Sequence, residues 1–182
     1  MEIKISNDEL KANRPTLEEV KNMKRLPISI LVENVRSVHN VGAIFRTADG
    51  FGAEKVWLTG YTAYPPRDDL AKVALGAEKS VPWEHFENPL EAAEKIKSLG
   101  IKLVGIEQSV RSLNIHEYNW DFPCCFILGN EVSGVSDELL NLAEDHVEIP
   151  MFGIKQSLNV SVAGGVIGYE VARVYNSQNG LN

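Results

Sequence analysis

Short apolar runs bounded by glycine, proline or polar clusters recur along the chain, with helix-like patterns between them. This alternation restricts the fold more than any other feature. Residues 28–32, 55–59, 101–106, 124–128 and 146–149 have the length and apolar character of strands. Residues 81–85 fit an edge strand, because Pro82 has no N–H to give to a ladder. Residues 41–49, 69–75, 89–99, 136–143 and 159–175 carry the caps, terminal glycines and apolar spacing of helices. The run ISILV at 28–32 is of the nearly continuous apolar kind found in strands covered on both faces. Strands that alternate with helices predict an α/β fold: an open, mostly parallel sheet with helices on both faces.

Ahead of the first strand, Ser6 or Asn7 opens a helix over 8–12. The capping box TLEE at 16–19 opens a second helix that Pro27 ends. At 182 residues the chain is long enough for one domain with a sizeable core. We divide it into a helical extension (1–26), a main domain (27–176) and a frayed polar tail (177–182).

Charge and cysteine usage exclude several function classes. A net charge of −7 argues against a strong nonspecific polyanion binder, whose footprint is a basic domain. RNA stays open as a partner, since net charge says little about local potential. No apolar run reaches the length of a membrane span, and the first residues lack an apolar signal core, so a cytoplasmic protein is expected. The adjacent Cys124 and Cys125 lie in an apolar run and read as reduced core residues. His39, His85, His116 and His146 have no metal-ligand spacing, so no metal is expected.

Three blocks carry the polar groups that such a sheet would place near its strand ends, where α/β sheets bind ligands. The first is ENVRSVHNVGAIFRTADGFG at 33–52. Here Asn40 reads as the cap of the helix that follows and Gly42 as a site of close approach. Arg46 follows about one and two-thirds turns on. Ile44, Phe45, Thr47 and Ala48 flank Arg46, which predicts a partly buried guanidinium needing a phosphate or carboxylate. The plain structural alternative is a helix cap and a solvated arginine. The second block is LGNEVSGV at 128–135, where Gly129 lets backbone wrap a ligand and Glu131 sits in the turn. It lacks the Gly-Lys-Ser/Thr ending of a phosphate loop, and its acid would repel phosphate. The third runs from 149 to 173, with Ser157 and Asn159 bracketing a helix start. Ser161, Ala163, Gly164, Gly165 and Gly168 then give that helix a small face. Glycine costs about 1 kcal/mol inside a helix, so close packing is expected there. No Gly-x-Gly-x-x-Gly follows the first strand, which argues against an ordinary dinucleotide-binding domain.

In this order and spacing the three blocks resemble the motifs of the SpoU/TrmH RNA 2′-O-ribose methyltransferases, part of the trefoil-knotted methyltransferase class. The resemblance covers residues 27–173, and KVALGAEKSVPW at 72–83 is similar to the family's Gly-Ala-(Glu/Ser) region. It implies a deep C-terminal knot through the loops at 129–135 and 149–159, and a homodimer packed through first and last helices. It also implies S-adenosylmethionine bound largely by knot-loop backbone, here at Ile106, Gly129, Ile149, Met151 and Leu158, with Glu107 near by. Residue by residue, Arg46 matches the arginine thought to activate the ribose hydroxyl, and Asn40 matches the asparagine that shapes that pocket. Glu131 matches the motif-two acid, and Ser157 and Asn159 match the pair that orders the site. Arginine is a poor general base at its usual pKa, so positioning and alkoxide stabilisation are the roles expected for Arg46. This sequence shows no separate RNA-binding domain and no long basic extension. RNA contacts then fall to Arg14, Arg36, Arg67, Lys79, Arg111 and Lys155 on the dimer surface, with a splayed-out loop nucleotide as target.

Three functions compete. The first is an S-adenosylmethionine-dependent RNA ribose methyltransferase, with tRNA ahead of rRNA as substrate. The second is a non-catalytic RNA-binding or scaffold dimer that keeps the fold, against which the intact polar set argues. The third is another α/β enzyme such as a nucleotide hydrolase, for which phosphate loop, triad and metal cluster are all missing.

Overall fold

A computed structural model describes residues 4–181. Two short helices come first, α1 (Asn7–Ala12) and α2 (Leu17–Asn22). Each opens on a capping box, Ser6 with Glu9 and Thr16 with Glu19, and neither buries a residue. Residues 1–3 and 182 of the expected extension and tail lie outside the described residues.

The main body then alternates strand and helix: β1 (Leu26–Glu33), α3 (Val38–Phe51), β2 (Ala53–Thr59), α4 (Asp68–Ala74), α5 (Ala77–Ser80), β3 (Trp83–Phe86), α6 (Pro89–Ser98), β4 (Lys102–Ile106), β5 (Leu113–Asn114), β6 (Cys124–Leu128), α7 (Asp137–Leu142), β7 (Asp145–Glu148) and α8 (Val160–Gln178). The strands form one seven-stranded sheet in the order β3-β2-β1-β6-β4-β7-β5. Every pairing is parallel. The carboxyl ends of all strands therefore share one edge of the sheet. The chain winds outward from β1 to β3, then returns to build the other half, so β1 and β6 flank the reversal, where open α/β sheets place their ligands.

Side-chain alternation gives the sheet two apolar faces. Ile28, Ile30 and Val32 of β1, with Cys124, Phe126 and Leu128 of β6, join α3, α4 and α8 in one core. Leu31, Cys125 and Ile127 point the other way, onto Ala92, Ala93 and Ile96 of α6 and Leu139 of α7. The two cysteines are free and buried on opposite faces. Burial pushes the Cys125 thiol up to about 12, so neither acts as a thiolate here.

Several boundaries differ from the sequence reading. Ser37, not Asn40, caps α3: its side chain accepts from the Asn40 amide at 3.3 Å, and Asn40 sits in the first turn. The helix α5 and the two-residue β5 are too short to leave a periodic signal. The last helix runs to Gln178, beyond the expected start of a frayed tail. Tyr175 packs edge-on against Phe122 at 4.9 Å, and Gln178 donates to the Trp120 carbonyl, which hold that turn. Of the small residues of α8, Gly164 and Gly168 are buried, while Ser161, Ala163 and Gly165 are half-buried. A Cβ on Gly164 would meet Leu128, and one on Gly168 would meet the Phe51 ring. Gly42 likewise lies against Val73 of α4. No helix among the described residues is long and apolar enough to cross a membrane.

Candidate active site

At the carboxyl edge of the sheet the segments after β4, β6 and β7 and the start of α8 surround a cavity of about 720 Å³. Its walls combine Ile106, Leu128, Ile149, Met151 and Leu158 with the carboxylates of Glu107 and Glu131. All six residues expected around the cofactor line it. So do Glu131, Ser157 and Asn159.

The turn after β6 is the most constrained wall. Asn130 and Gly134 exchange backbone hydrogen bonds of 3.0 Å, closing the turn. The Asn130 side-chain oxygen accepts from the amides of Val132 at 2.8 Å and Ser133 at 3.1 Å. Glu107 holds the far end, accepting from the Val135 amide at 3.0 Å. Gly129 passes so close that a Cβ there would land on the backbone of Gly134 and Val135. Opposite lies the loop between β7 and α8. No backbone–backbone hydrogen bond among the described residues ties residues 150–158, which leaves its amides open to a ligand. Gln108 holds this loop through the Gln156 carbonyl.

A chain of hydrogen bonds joins the three sequence blocks. Asn159 donates to the Asn40 side-chain oxygen at 3.1 Å, and Asn40 donates to Glu131 at 2.9 Å. The Glu131 carboxylate also accepts from the amides of Arg36 at 3.0 Å and Ser37 at 3.1 Å. It thus sits on the N-terminus of α3, where unpaired amides and the helix dipole favour an anion. Partial burial raises the Glu131 pKa. The hydrogen bonds from Arg36, Asn40 and Ser37 outweigh that and hold it below the ordinary 4.5.

A lowered folded value makes this contact stabilising above the ordinary pKa and lost as pH falls through the folded one. We expect Glu131→Gln to destabilise the protein at neutral pH, with the gap closing below about pH 4.5. Urea unfolding of both proteins across that range checks this. A gap unchanged in acid would show that the carboxylate charge is not what holds α3.

The SpoU rRNA Methylase family profile matches residues 27–169, most of the chain. The chain belongs to that family. It is 35% identical over 158 residues to the tRNA (guanosine(18)-2′-O)-methyltransferase of Aquifex aeolicus, covering 86% of this chain and 74% of that one. It is also similar to a solved A. aeolicus TrmH/SpoU tRNA modifying enzyme, with a TM-score of 0.80 at 32% identity, covering 91% of this chain and 84% of that. A third similar structure is the SpoU methyltransferase AviRb of Streptomyces viridochromogenes in complex with AdoMet. That likeness has a TM-score of 0.77 at 26% identity and covers 89% of this chain and 65% of that.

Not every residue expected in a SpoU-type site is brought together. Arg46 is exposed and stands outside the cavity lining, and among the described residues it has no ion-pair partner. The expectation of a partly buried guanidinium is therefore corrected. Its neighbours Ile44, Phe45 and Ala48 turn into the core, and helical rotation turns Arg46 away from them. Asn40 reaches the cavity only through Glu131 and Asn159.

The six basic residues are exposed but scattered. Arg14 follows α1, Lys79 lies in α5, and Arg36 precedes α3. Lys155 lies in the loop at the cavity, and Arg111 contacts His146 at 3.3 Å. Arg67 is spanned by Asp69 through bonds of 2.9 and 2.6 Å, so its fork is already engaged.

Sequence reasoning passed over Asn130, which lines the cavity and donates 2.8 Å bonds to the Asn34 carbonyl and the Tyr61 hydroxyl. Its place between Gly129 and Glu131, at a strand end, was the available signal. It also gave no role to Glu33, which is buried and accepts from the Ser136 amide at 2.9 Å, fixing the start of α7.

Proposed function

We propose that this protein transfers a methyl group from S-adenosylmethionine to a ribose 2′-hydroxyl of RNA, with tRNA as the first substrate to test. The observation that carries the reading is the hydrogen-bonded chain Asn159–Asn40–Glu131 on the rim of the cavity. It links all three family motifs at one place. The tRNA specificity named for the Aquifex relative supports the substrate class.

The cavity fits the methyl donor. Its volume lies in the range of small-ligand clefts, about 300–1,000 Å³. Leu128, Ile149, Met151 and Leu158 offer apolar surface for an adenine, and the open amides of residues 150–158 offer donors. Gly129 lines the cavity, and its missing Cβ lets the turn at Gly134 and Val135 close against it. Bound S-adenosylmethionine supplies an electrophilic methyl whose leaving group is a neutral thioether.

The protein's own part is alignment and charge. Glu131 and Asn40 fix the start of α3, and through it the helix that carries Arg46. Arg46 takes a substrate phosphate and stabilises the developing alkoxide as the 2′-hydroxyl proton passes to solvent water. Ser157 and Asn159 order the start of α8 at the cavity rim, where Asn159 caps the helix by accepting from Ser161 at 2.9 Å.

The finer architecture belongs to the same reading. The C-terminal segment would be knotted where the loops at 129–135 and 149–159 wall one cavity. Two copies would pair through α8, whose outer face exposes Val162, Val166 and Tyr169. A cytoplasmic location accords with an RNA substrate.

The test is methyl transfer from labelled S-adenosylmethionine to tRNA and rRNA fractions that lack the modification, followed by nucleoside analysis. A 2′-O-methylnucleoside in one fraction is the expected result. Absence of both methyl transfer and S-adenosylmethionine binding would overturn the catalytic reading in favour of an RNA-binding scaffold.

A further inference from the structure

Next to the main cavity lies a second, of about 430 Å³, between the loop after β2 and the edge strand β3. Tyr61, Tyr64 and His85 bring three rings to its lining. Tyr64 stacks on His85 with centroids 4.0 Å apart and planes 27° from parallel, and Trp83 lies 6.3 Å from Tyr64. The His85 ring is itself fixed, with Nε2 2.9 Å from the Gly60 carbonyl oxygen. Tyr64 is 42% exposed and Tyr61 60%, so broad π surface faces solvent.

Tyr61 belongs to both cavities' surroundings. Its hydroxyl accepts a 2.8 Å bond from Asn130, which lines the main cavity, and its amide donates to the Asn34 side chain at 3.3 Å. The ring is therefore held at both ends while its faces stay open. Holding it so lowers the ordering cost of stacking on it. The remaining wall has no free cation among the described residues. Arg67 is clasped by Asp69, and Glu87 lies on the lining too. A paired guanidinium opposite an acid is a poor phosphate site, yet its planar face still stacks. The chemistry that fits is a flat, uncharged aromatic group.

We propose that Tyr61, Tyr64 and Arg67 form a stacking subsite for an unpaired nucleobase adjacent to the methylated nucleotide. Single-stranded RNA is read by bases splayed onto aromatic side chains and arginine planes. The Asn130 contact places this platform against the turn that holds Glu131. The inference rests on the reading of this protein as an RNA methyltransferase.

The probe is a pool of unmodified tRNA transcripts, with rRNA transcripts in parallel. Tyr61→Ala and Tyr64→Ala are each expected to weaken RNA binding and raise KM for RNA roughly 5- to 150-fold. In Tyr64→Ala, turnover at saturating RNA and affinity for S-adenosylmethionine should stay within about twofold, as that ring does not line the main cavity. Tyr61→Phe keeps the ring but loses the Asn130 bond, so it should recover most, not all, of the RNA binding lost in Tyr61→Ala. Ultraviolet cross-linking of the wild-type complex should map to the peptide holding residues 61–67. Should Tyr64→Ala lose its fold, the exposed Tyr61→Ala and the cross-link map still decide the matter. Wild-type binding in both alanine variants, with cross-links elsewhere, would overturn the subsite while leaving the RNA reading standing. A wild-type protein that neither binds nor methylates any transcript would overturn both.

Discussion

Arg46→Ala is expected to lower the methyl-transfer rate by at least about 10²–10³, the usual cost of removing one preorganised charge-stabilising group. Affinity for S-adenosylmethionine should stay close to wild type. Arg46 stands outside the cavity lining, so truncating it takes no wall from the cofactor. Stability should stay within about 0.5 kcal/mol, because the side chain is exposed and tied to no acid among the described residues. A charged group placed on a helix with no partner of its own is what a site awaiting an anionic substrate requires. Arg46→Lys keeps the charge and loses the planar fork, so it should recover only part of the rate. Single-turnover transfer, calorimetric cofactor binding and a thermal melt separate these effects. Comparable activity in the alanine variant would remove Arg46 from the mechanism. Loss of cofactor binding would instead place it in the donor pocket.

The parts of the fold legible in the sequence were those whose signal is local. β6 was bounded correctly because it is apolar at every position, as both faces of the sheet are covered there. The capping box of α2 was legible because a hydroxyl and a glutamate three residues apart satisfy each other without any tertiary help, while for α1 the reading left the cap open between Ser6 and Asn7. The cap of α3 was misplaced because Ser37 and Asn40 are both good capping residues. Only the grip of Glu131 on the amides of Arg36 and Ser37 places the helix start earlier. Arg46 was misjudged because sequence neighbours are not helix-face neighbours. Ile44, Phe45 and Ala48 pack inward while the residue among them turns to solvent.

The candidate site was legible as residue types but not as connections. Motif spacing picked out Asn40, Glu131 and Asn159, and the hydrogen bonds among them join residues 91 and 119 positions apart. Asn130 escaped because its partners, Asn34 and Tyr61, come from segments that no local pattern ties to it. The aromatic cavity escaped for the same reason: Tyr64 and His85 meet only when β2 and β3 pair.

Gly129→Ala is expected to damage stability and cofactor binding together. The new methyl would fall on the carbonyl carbon and oxygen of Gly134 and the amide nitrogen of Val135. All three are backbone atoms, so no side-chain rotation relieves the collision, and the turn itself must open. Opening it breaks the paired 3.0 Å bonds between Asn130 and Gly134 and strains the 3.0 Å bond from Val135 to Glu107. It also displaces Glu131 from α3, and with it the link to Asn159. Overpacking of this kind costs about 1–3 kcal/mol, which for a domain of this size lowers Tm by roughly 2–12 °C. Because the same turn walls the main cavity, affinity for S-adenosylmethionine should fall at least about tenfold, equivalent to 1.4 kcal/mol. Gly153→Ala is the control: a Cβ there meets nothing within 4 Å, so the melt should not change. Thermal unfolding and calorimetric titration of the two variants distinguish the outcomes. A destabilised Gly129 variant with intact affinity would show that the donor lies away from this turn. A variant unchanged in both would show that the turn is loose enough to admit the methyl, and the close wall described for the cavity would be wrong.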